Sequence, residues 1–364
     1  MVPASATDHP EQFDFSYYDD PLKFYMAMLE DINSARKSIH LEMYKFAHDV
    51  IGEKFRDALT RKSREGVHIK LLLDAWGTSS SQAFFAELLR NGAEIRYFKR
   101  LKFNPNWLTS HHSRNHRKLL IIDDEITWMG SANLTAYSLN WRELVVRLRG
   151  GITRAFKRSF LESRRLYNKL YFNTKMYSRV IHYKDFRIMR DVPSITRQRI
   201  KKQFEDMIRR AKNEIIIETP YFLPGFLLRK FLMDAAKRGV HVVVITPQQS
   251  DVGIVDVLRS KYLGLMHRNG VDFRFYVPYN LHAKLMMVDG AEFSVGSSNF
   301  DYRSFRYMHE VMLFGRDERM LQGFREHVDT TLAECITFDY VKWKRRPLIH
   351  KVFENLLVPF RHFL

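Results

Sequence analysis

The sequence lacks the features that mark disulfide-stapled and membrane-spanning proteins. It has one cysteine, Cys335, in 364 residues, so no disulfide can form within the chain and a small disulfide-rich scaffold is excluded. No apolar run reaches the roughly 18 residues that a membrane-spanning helix needs. The stretch from Met1 to Gln12 has neither a basic start nor an apolar core, and it predicts no signal peptide.

Acidic residues are also scarce relative to basic ones. The chain carries 41 Asp and Glu against 59 Lys and Arg, a formal net charge of +18. The excess lies in two segments: residues 154–212 hold 18 basic and 5 acidic residues, and residues 342–364 hold 6 and 1. Positive charge concentrated in this way predicts a polyanionic partner, either an anionic membrane or nucleic acid.

One motif occurs twice and organises the chain. Each copy reads H-x-K-x4-D and is followed, seven residues after the aspartate, by G-S-x-N. Corresponding residues lie 166 positions apart, in the pairs His116 and His282, Lys118 and Lys284, Asp123 and Asp289, Ser131 and Ser297, and Asn133 and Asn299. Flanking segments repeat as well, such as Gly-Val-His at 66–68 and 239–241. We therefore predict a duplicated unit of about 165 residues.

The apolar spacing within each unit alternates between helical and strand periods, which predicts an α/β fold with mixed sheets, called α+β in some schemes. A helix is predicted to begin at Asp20-Pro21, because Asp is a good cap and Pro suits the first turn. We predict halves at 13–172 and 173–340, related by a pseudo-twofold axis and sharing one active site, followed by a basic amphipathic tail at 341–364.

The repeated residues suit chemistry on a phosphodiester. Side chains alternate along a strand, so the histidine and lysine of each motif point to one face. Lysines supply positive charge for the phosphate, and Ser and Asn supply neutral donors. The predicted phosphate-binding set is Lys118, Ser131, Asn133, Lys284, Ser297 and Asn299. Two histidines can divide the roles of nucleophile and acid, so neither a metal nor another cofactor is predicted. His111 and His112 lie close to His116, but no zinc spacing accompanies them.

Two glutamates complete the candidate catalytic set. Glu143 and Glu310 come 27 and 28 residues after His116 and His282. Each is a candidate to accept a hydrogen bond from a histidine Nδ1 and fix its tautomer. The alternative is that both are ordinary charges at strand edges.

The paired motifs resemble the phospholipase D superfamily, whose enzymes carry two H-x-K-x4-D copies. The resemblance implies a phosphohistidine intermediate, no metal, and acidic residues that hold the histidines. It implies that His116 is the nucleophile and that His282 acts as acid and then base. Asp123 and Asp289 join the catalytic candidates as members of the motif, although this aspartate is usually structural in the family.

Three stretches further resemble bacterial cardiolipin synthases: residues 115–118 (NHRK), 219–224 (TPYFLP) and 299–305 (NFDYRSF). The chain departs from them at Ser131, Glu143 and Met308, and it has no N-terminal membrane helices. The resemblance is to the peripheral type, and it implies a phosphatidyltransferase that uses phosphatidylglycerol as donor and acceptor and releases glycerol. It also implies a place on the cytoplasmic face of the inner membrane. Phospholipase D hydrolysis and a metal-independent nuclease activity remain alternatives.

The C-terminal tail favours a lipid surface. Lys342, Lys344 and Arg345 precede apolar residues at helical spacing, which is typical of an interfacial amphipathic helix. These apolar residues are Leu348, Val352, Phe353, Leu356, Leu357, Phe360 and Leu364. The alternative is a last helix that packs on the protein.

Overall fold

A computed structural model describes residues 13–78, 80–98, 113–166, 180–194, 196–357 and 359. The predicted boundary at 172/173 lies outside the described residues, as do His111 and His112, so the division into halves stays a prediction. Within the described ranges, no helix has both the length and the apolar character needed to cross a membrane.

The first sheet has seven strands in the order β1-β8-β7-β6-β2-β3-β4. Its strands are β1 (Asp14–Tyr18), β2 (Ser38–Met43), β3 (His68–Asp74), β4 (Glu94–Phe98), β6 (Leu119–Ile122), β7 (Ile126–Gly130) and β8 (Val145–Arg149). The helices of this part are α1 (Pro21–Ser34), α2 (Val50–Arg64), α3 (Ala86–Arg90) and α4 (Ile152–Leu166). Strands β2, β3 and β4 run parallel, and the others pair antiparallel, as a mixed sheet requires.

The second sheet follows the order β19-β14-β13-β11-β15-β16-β18-β10-β9, and β5 (Arg114–Asn115) pairs with β18 beside it. Its strands are β9 (Ile181–Tyr183), β10 (Phe186–Asp191), β11 (Glu214–Glu218), β13 (His241–Pro247), β14 (Val271–Tyr276), β15 (Leu285–Val288), β16 (Glu292–Gly296), β18 (Met308–Gly315) and β19 (Cys335–Thr337). A separate pair joins β12 (Phe222–Leu223) to β17 (Phe300–Asp301). The helices are α5 (Arg199–Arg210), α6 (Phe226–Lys237), α7 (Gly253–Arg268), α8 (Tyr302–Tyr307), α9 (Glu318–Ala333), α10 (Tyr340–Lys344) and α11 (Leu348–Leu357).

Local sequence signals explain where several helices begin and end. The Asp20 side chain accepts a hydrogen bond from the Lys23 amide at 3.1 Å, which caps α1 as predicted. Helices α2 and α6 are followed by Gly66 and Gly239 at φ values of +86° and +91°. Only glycine adopts this conformation at little cost, so the repeated Gly-Val-His turns each helix into the next strand.

One buried core joins the two sheets. It takes Ile121 from β6, Met287 from β15, Phe156 from α4 and Phe324 from α9. Each fully buried side chain of this size contributes about 1.5–3 kcal/mol. The two copies of the motif therefore face one shared interior, and the predicted class, a duplicated α/β fold, is confirmed.

A 3-10 turn at Ala83–Phe85 directly precedes α3. One strand differs from the sequence prediction. Strand β18 was not predicted, because all eight of its residues are buried and no alternation marks it. A strand covered on both faces reads as a continuous apolar run.

Candidate active site

Each motif histidine is paired with a glutamate that follows the other copy of the motif. His116 places its Nδ1 3.0 Å from Glu310, which lies in β18. His282 places its Nδ1 3.0 and 2.9 Å from the two carboxylate oxygens of Glu143. Both glutamates are fully buried, so they are not strand-edge charges. Because Nδ1 faces the carboxylate, Nε2 is the nitrogen of each ring that remains for the substrate.

The crossed pairing follows from short backbone contacts between the halves. The His116 amide donates to the His309 carbonyl at 3.0 Å, beside the pairing of β5 with β18. The His282 amide donates to the Arg142 carbonyl at 2.7 Å. Each histidine is therefore aligned with the residue that precedes its partner glutamate.

The two lysines occupy equivalent places. Lys118 donates its Nζ to the His116 carbonyl at 2.7 Å, and Lys284 donates to the His282 carbonyl at 2.5 Å. Both lysines are buried. Lys118 also lies over the ring of Tyr44, with 5.2 Å from Nζ to the centroid. Each lysine is therefore held within hydrogen-bond distance of the backbone of its motif histidine, in the segment just before the strand.

The serines interact with the glutamates of the two couples. Ser297 donates its hydroxyl to Glu310, and the Val311 amide donates to Ser297 Oγ at 3.0 Å. The Ser131 hydroxyl lies 3.1 Å from the Leu144 carbonyl it donates to, and it also interacts with Glu143. Both serines are fully buried behind the glutamates. In this structure the serines hydrogen-bond the glutamates and the backbone, and their contact with phosphate stays a prediction.

The asparagines do face the site. Asn133 and Asn299 line the same cavity as His116 and His282. In each asparagine the Oδ1 atom is buried without a hydrogen-bond partner. A buried polar group of this kind costs free energy until a ligand satisfies it, so both amides remain candidates for contact with substrate.

The motif aspartates lie at the far end of the strand, which corrects their inclusion among catalytic residues. Asp123 accepts from the amides of residues 36–38 at 2.6 to 2.8 Å. Asp289 accepts in the same way from residues 212–214 at 2.7 to 3.2 Å. Each has a positive φ, 52° and 55°, at the turn after the strand. Their role is to fasten the entrance of β2 and β11 to the motif strand.

Burial controls the pKa values of the histidines and lysines. It lowers the pKa of His116 to about 4, with Lys118 adding to the effect and Glu310 opposing it. It also lowers the pKa of His282, where the charge of Glu143 is the strongest opposing influence. Burial lowers the pKa of Lys118 to about 7, helped by the charge of Lys284.

The pKa of Lys284 is lowered to about 8, again chiefly by burial. Burial alone would raise the pKa of Glu143 and Glu310, but the neighbouring histidine and lysine outweigh it and lower both. The carboxylates are therefore ionised beside the two histidines and the two lysines.

The site opens into a cavity of about 420 Å³. Two of the synthase-like stretches meet in its wall, because β12 pairs with β17: Tyr221 and Leu223 come from the first, and Asp301 and Arg303 from the second. Sequence reasoning identified these stretches by resemblance alone and did not foresee that they touch.

Three neighbours of the histidines were missed. The Tyr44 ring lies 5.1 Å from the His116 ring, and the Trp141 ring lies 5.1 Å from the His282 ring. Arg117, the variable residue of the first motif, is buried and donates to the Glu310 carbonyl at 3.0 Å. The only sign of Arg117 in the sequence was its position inside the first motif. The second copy has Ala283 at the corresponding position, so a comparison of the two copies does not mark Arg117 as part of the site.

The pH dependence of kcat/KM is expected to be bell-shaped. On the acid side it falls as His116, with a pKa of about 4, becomes protonated and loses its nucleophilic lone pair. On the alkaline side it falls as His282 and then Lys118, with a pKa of about 7, lose their protons. A bound phosphodiester favours the protonated forms of the site's cationic groups. The pH profile of kcat is therefore expected to lie at higher pH than the pH profile of kcat/KM. A kcat/KM that rises steadily to pH values of about 9 would contradict this assignment.

Comparison with known proteins gives a consistent result. A family model described as "Cardiolipin synthase, PLD-like domain" matches residues 28–162 and 204–332. The cardiolipin synthase of Clostridium perfringens (strain SM101 / Type A) is 29% identical over 373 residues, covering 96% of this chain and 76% of that protein. The major cardiolipin synthase of Bacillus subtilis (strain 168) is 30% identical over 352 residues, covering 91% and 71%.

Among solved structures, phosphatidylserine synthase from Haemophilus influenzae Rd KW20 resembles the chain with a TM-score of 0.76. The match covers 96% of this chain and 95% of that one at 14% sequence identity. At this identity the likeness concerns the fold, and it agrees with two motif-bearing halves around one interior.

Proposed function

Because the chain belongs to the cardiolipin synthase family of phospholipase D-like proteins, we propose that it transfers a phosphatidyl group from one phosphatidylglycerol molecule to another. It is a phospholipase D-type phosphatidyltransferase. The observation that carries the proposed chemistry is the crossed pair of His–Glu couples, His116 with Glu310 and His282 with Glu143, at one cavity.

In the first step, His116 Nε2 attacks phosphorus and displaces the glycerol head group as an alcohol. A bond forms from nitrogen to phosphorus, the bond from phosphorus to the leaving oxygen breaks, and His282 gives that oxygen its proton. Lys118 and Lys284 balance the charge that grows on the phosphate oxygens. The result is a phosphatidyl group on His116 and free glycerol.

In the second step, His282 takes a proton from a hydroxyl of a second phosphatidylglycerol. That oxygen attacks phosphorus, the nitrogen–phosphorus bond breaks, and cardiolipin leaves with His116 restored. Geometry supports this division of roles. Glu143 presents both carboxylate oxygens to His282, whereas Glu310 gives one oxygen to His116 and bonds Ser297 with the other. His282 is therefore the ring better supported as a cation.

The experiment that tests the function offers purified full-length protein phosphatidylglycerol vesicles and, separately, single-stranded DNA. Products are identified by mass spectrometry in the presence of EDTA. Cardiolipin and glycerol in equal amounts support the proposal. Phosphatidic acid alone indicates hydrolysis, cleaved DNA indicates the nuclease alternative, and loss of turnover in EDTA that a divalent ion restores contradicts the two-histidine mechanism.

We also propose that the tail docks the enzyme on the cytoplasmic face of the inner membrane. Helix α11 presents exposed apolar side chains on one face: Leu348, Ile349, Val352, Phe353 and Leu356. Its other face packs on the protein, where Lys261 of α7 bonds Asn355 at 2.7 Å. Within the tail, Arg346 bonds the buried Glu354 at 2.8 Å. One face of α11 thus packs on the protein, and the exposed apolar face supports the proposed docking.

The packed face of α11 adjoins the cavity. Leu357 packs with Leu223 and Val255, which line the cavity wall. A bilayer that receives the exposed face would therefore lie beside the entrance that its lipids must use. Each basic residue near an anionic surface contributes about 1 kcal/mol, and apolar insertion adds to this.

Replacing Leu348, Phe353 and Leu356 together by serine is expected to reduce sedimentation with phosphatidylglycerol vesicles and turnover of vesicle lipid by about tenfold or more. The side chains are more than half exposed, so the fold should persist and hydrolysis of a short-chain soluble substrate should be unchanged. Leu22→Ser with Met26→Ser on α1 is the matched control for lost surface hydrophobicity. Equal vesicle binding by the tail variant and the control would refute tail docking.

A further inference from the structure

A third histidine, which lies outside the two motifs, is buried between two carboxylates. His327 lies in α9, and its side chain has no exposed surface. Its Nδ1 lies 3.2 Å from Asp19 and its Nε2 lies 2.9 Å from Glu218. When both ring nitrogens face carboxylates, both carry protons, and the ring is an imidazolium. The proposed phosphoryl-transfer steps make no use of this group.

The cluster around His327 is connected to the catalytic pair through Arg142. The Arg142 side chain reaches Asp19 at 3.0 Å, Thr331 at 2.7 Å and the His327 carbonyl at 3.2 Å. Its backbone amide donates to the Asn280 carbonyl at 2.9 Å. Its backbone carbonyl, as described above, accepts from His282.

Asp19 makes a second connection. Its backbone carbonyl accepts from the amide of Glu143, at 3.4 Å, while its carboxylate holds His327 and Arg142. The cluster therefore contacts the backbone at both members of the His282–Glu143 couple. Asp19 and Arg142 come from the first half, and His327 and Glu218 from the second.

The other catalytic couple has a counterpart built from different residues. Glu42 is the penultimate residue of β2 and Glu218 is the last residue of β11, and both are fully buried. Arg117 lies 3.9 Å from Glu42 and donates to the Glu310 carbonyl. In each half, a glutamate buried in a strand thus neutralises a nearby cation. That cation lies beside one of the two crossed His–Glu couples.

We propose that His327 is a positioning residue: as an imidazolium bridging Asp19 and Glu218, it holds Arg142 against residues 280–282 and so aligns His282 with Glu143. The proposal rests on the roles proposed above for His282 and Glu143. With His327 protonated, two cations balance two carboxylates in the cluster. Without that proton, one buried cation faces two carboxylates, and the contact between the halves loses its charge balance.

The surroundings of His327 set the pH interval in which this occurs. Burial alone lowers the pKa of His327, but the charge of Glu218 and hydrogen bonds with Asp19 and Glu218 raise it to about 9. Because the folded pKa lies above the ordinary value of 6.5, the contribution to alignment is complete below that value and is lost as pH rises through about 9. Other titratable groups that face this cluster include Tyr17, Glu326, Cys335, Tyr276, Glu334 and Arg274.

The first test uses Glu218→Gln, which keeps the shape of the side chain and removes its charge. Nitrogen NMR of histidine-labelled full-length protein follows protonation of His327. We expect the wild-type ring to be doubly protonated at pH 7.5 and the variant ring to lose its proton at lower pH. A neutral His327 in the wild-type protein at pH 7.5 overturns the proposal.

The second readout links protonation to turnover. The ratio of variant to wild-type kcat is expected to fall about tenfold over the same pH interval in which the variant His327 loses its proton, with KM little changed. The ratio cancels titration of the catalytic lysines, which is common to both proteins. A kcat ratio that stays flat with pH shows a structural role only and refutes positioning.

His327→Gln is expected to lower kcat about 10- to 100-fold, and the matched control is His40→Gln. His40 is also buried, lies against Phe160 with ring centroids 5.1 Å apart, and has its pKa lowered to about 4 by burial. The control should therefore leave both kcat and its pH dependence unchanged. If lipid transfer proves not to be the reaction, the NMR signal of the His282 ring still tests the positioning role. That signal shifts in Glu218→Gln if the cluster positions His282, and an unmoved signal refutes the proposal.

Discussion

Replacing His116 or His282 by alanine is expected to lower kcat on phosphatidylglycerol by about four orders of magnitude or more. The first change removes the nucleophile, and the second removes the acid and base, so neither step can proceed by the proposed route. Turnover is measured as cardiolipin formed in vesicles. His68→Ala, at an exposed position of β3, is the control for histidine loss and should keep full activity.

The two variants should differ on a substrate whose leaving group needs no proton. With a phosphatidyl ester of p-nitrophenol, His282→Ala should release one equivalent of p-nitrophenol and accumulate the adduct, whereas His116→Ala should release none. The reaction is not quenched with acid, because phosphohistidine is labile to acid. The adduct is located by mass spectrometry of a digest at alkaline pH. An adduct on His282 would reverse the assigned roles, and near wild-type turnover by either variant would refute the shared site.

Glu310→Gln and Glu143→Gln are expected to lower kcat by about 10²- to 10⁴-fold, since a histidine whose Nδ1 loses its carboxylate loses both tautomer control and support for its cationic form. The amide keeps the size of the side chain, so the fold should persist. Removing either carboxylate also lowers the pKa of its partner histidine further, because Glu310 and Glu143 are the groups that raise it.

The crossed pairing makes a specific spectroscopic prediction. Glu310→Gln should shift the ring nitrogen signals of His116 and leave those of His282 nearly unchanged, and Glu143→Gln should do the reverse. Ser131→Ala and Ser297→Ala should show weaker forms of the same two patterns, because each serine supports one glutamate. If Glu143→Gln instead perturbs His116, the couples form within each half and the crossed arrangement is wrong.

The sequence predicted the parts of the site that repeat. The repeat itself predicted that both motifs contribute to one site, and His116 and His282 do line one cavity, although each histidine and lysine precedes its strand instead of lying in it. The crossed partners did not follow. Glu310 comes 28 residues after His282, which suggests pairing within one half, and only the contact between β5 and β18 brings it to His116.

The hydrogen-bond partners of the two serines and of His327 could not be predicted for a different reason. Ser131 and Ser297 have the chemistry of phosphate donors, and nothing local reveals that a buried glutamate takes their hydroxyls instead. His327 stands in an amphipathic helix, where a histidine on the apolar face gives no sign of its partners. Its two carboxylates come from Asp19 and Glu218, 308 and 109 residues away, so only the tertiary fold defines the cluster.

The crossed couples also fix when a growing chain can become active. His116 meets its glutamate 194 residues later in the chain, and His282 depends on a residue made 139 positions earlier. At about 5–20 residues per second, a ribosome needs about 10–40 seconds to add those 194 residues. A chain released before residue 310 therefore carries a first motif with no carboxylate to serve it. Translation that stops before residue 310 therefore yields protein without the His116–Glu310 couple, and the proposed catalysis requires synthesis beyond that residue.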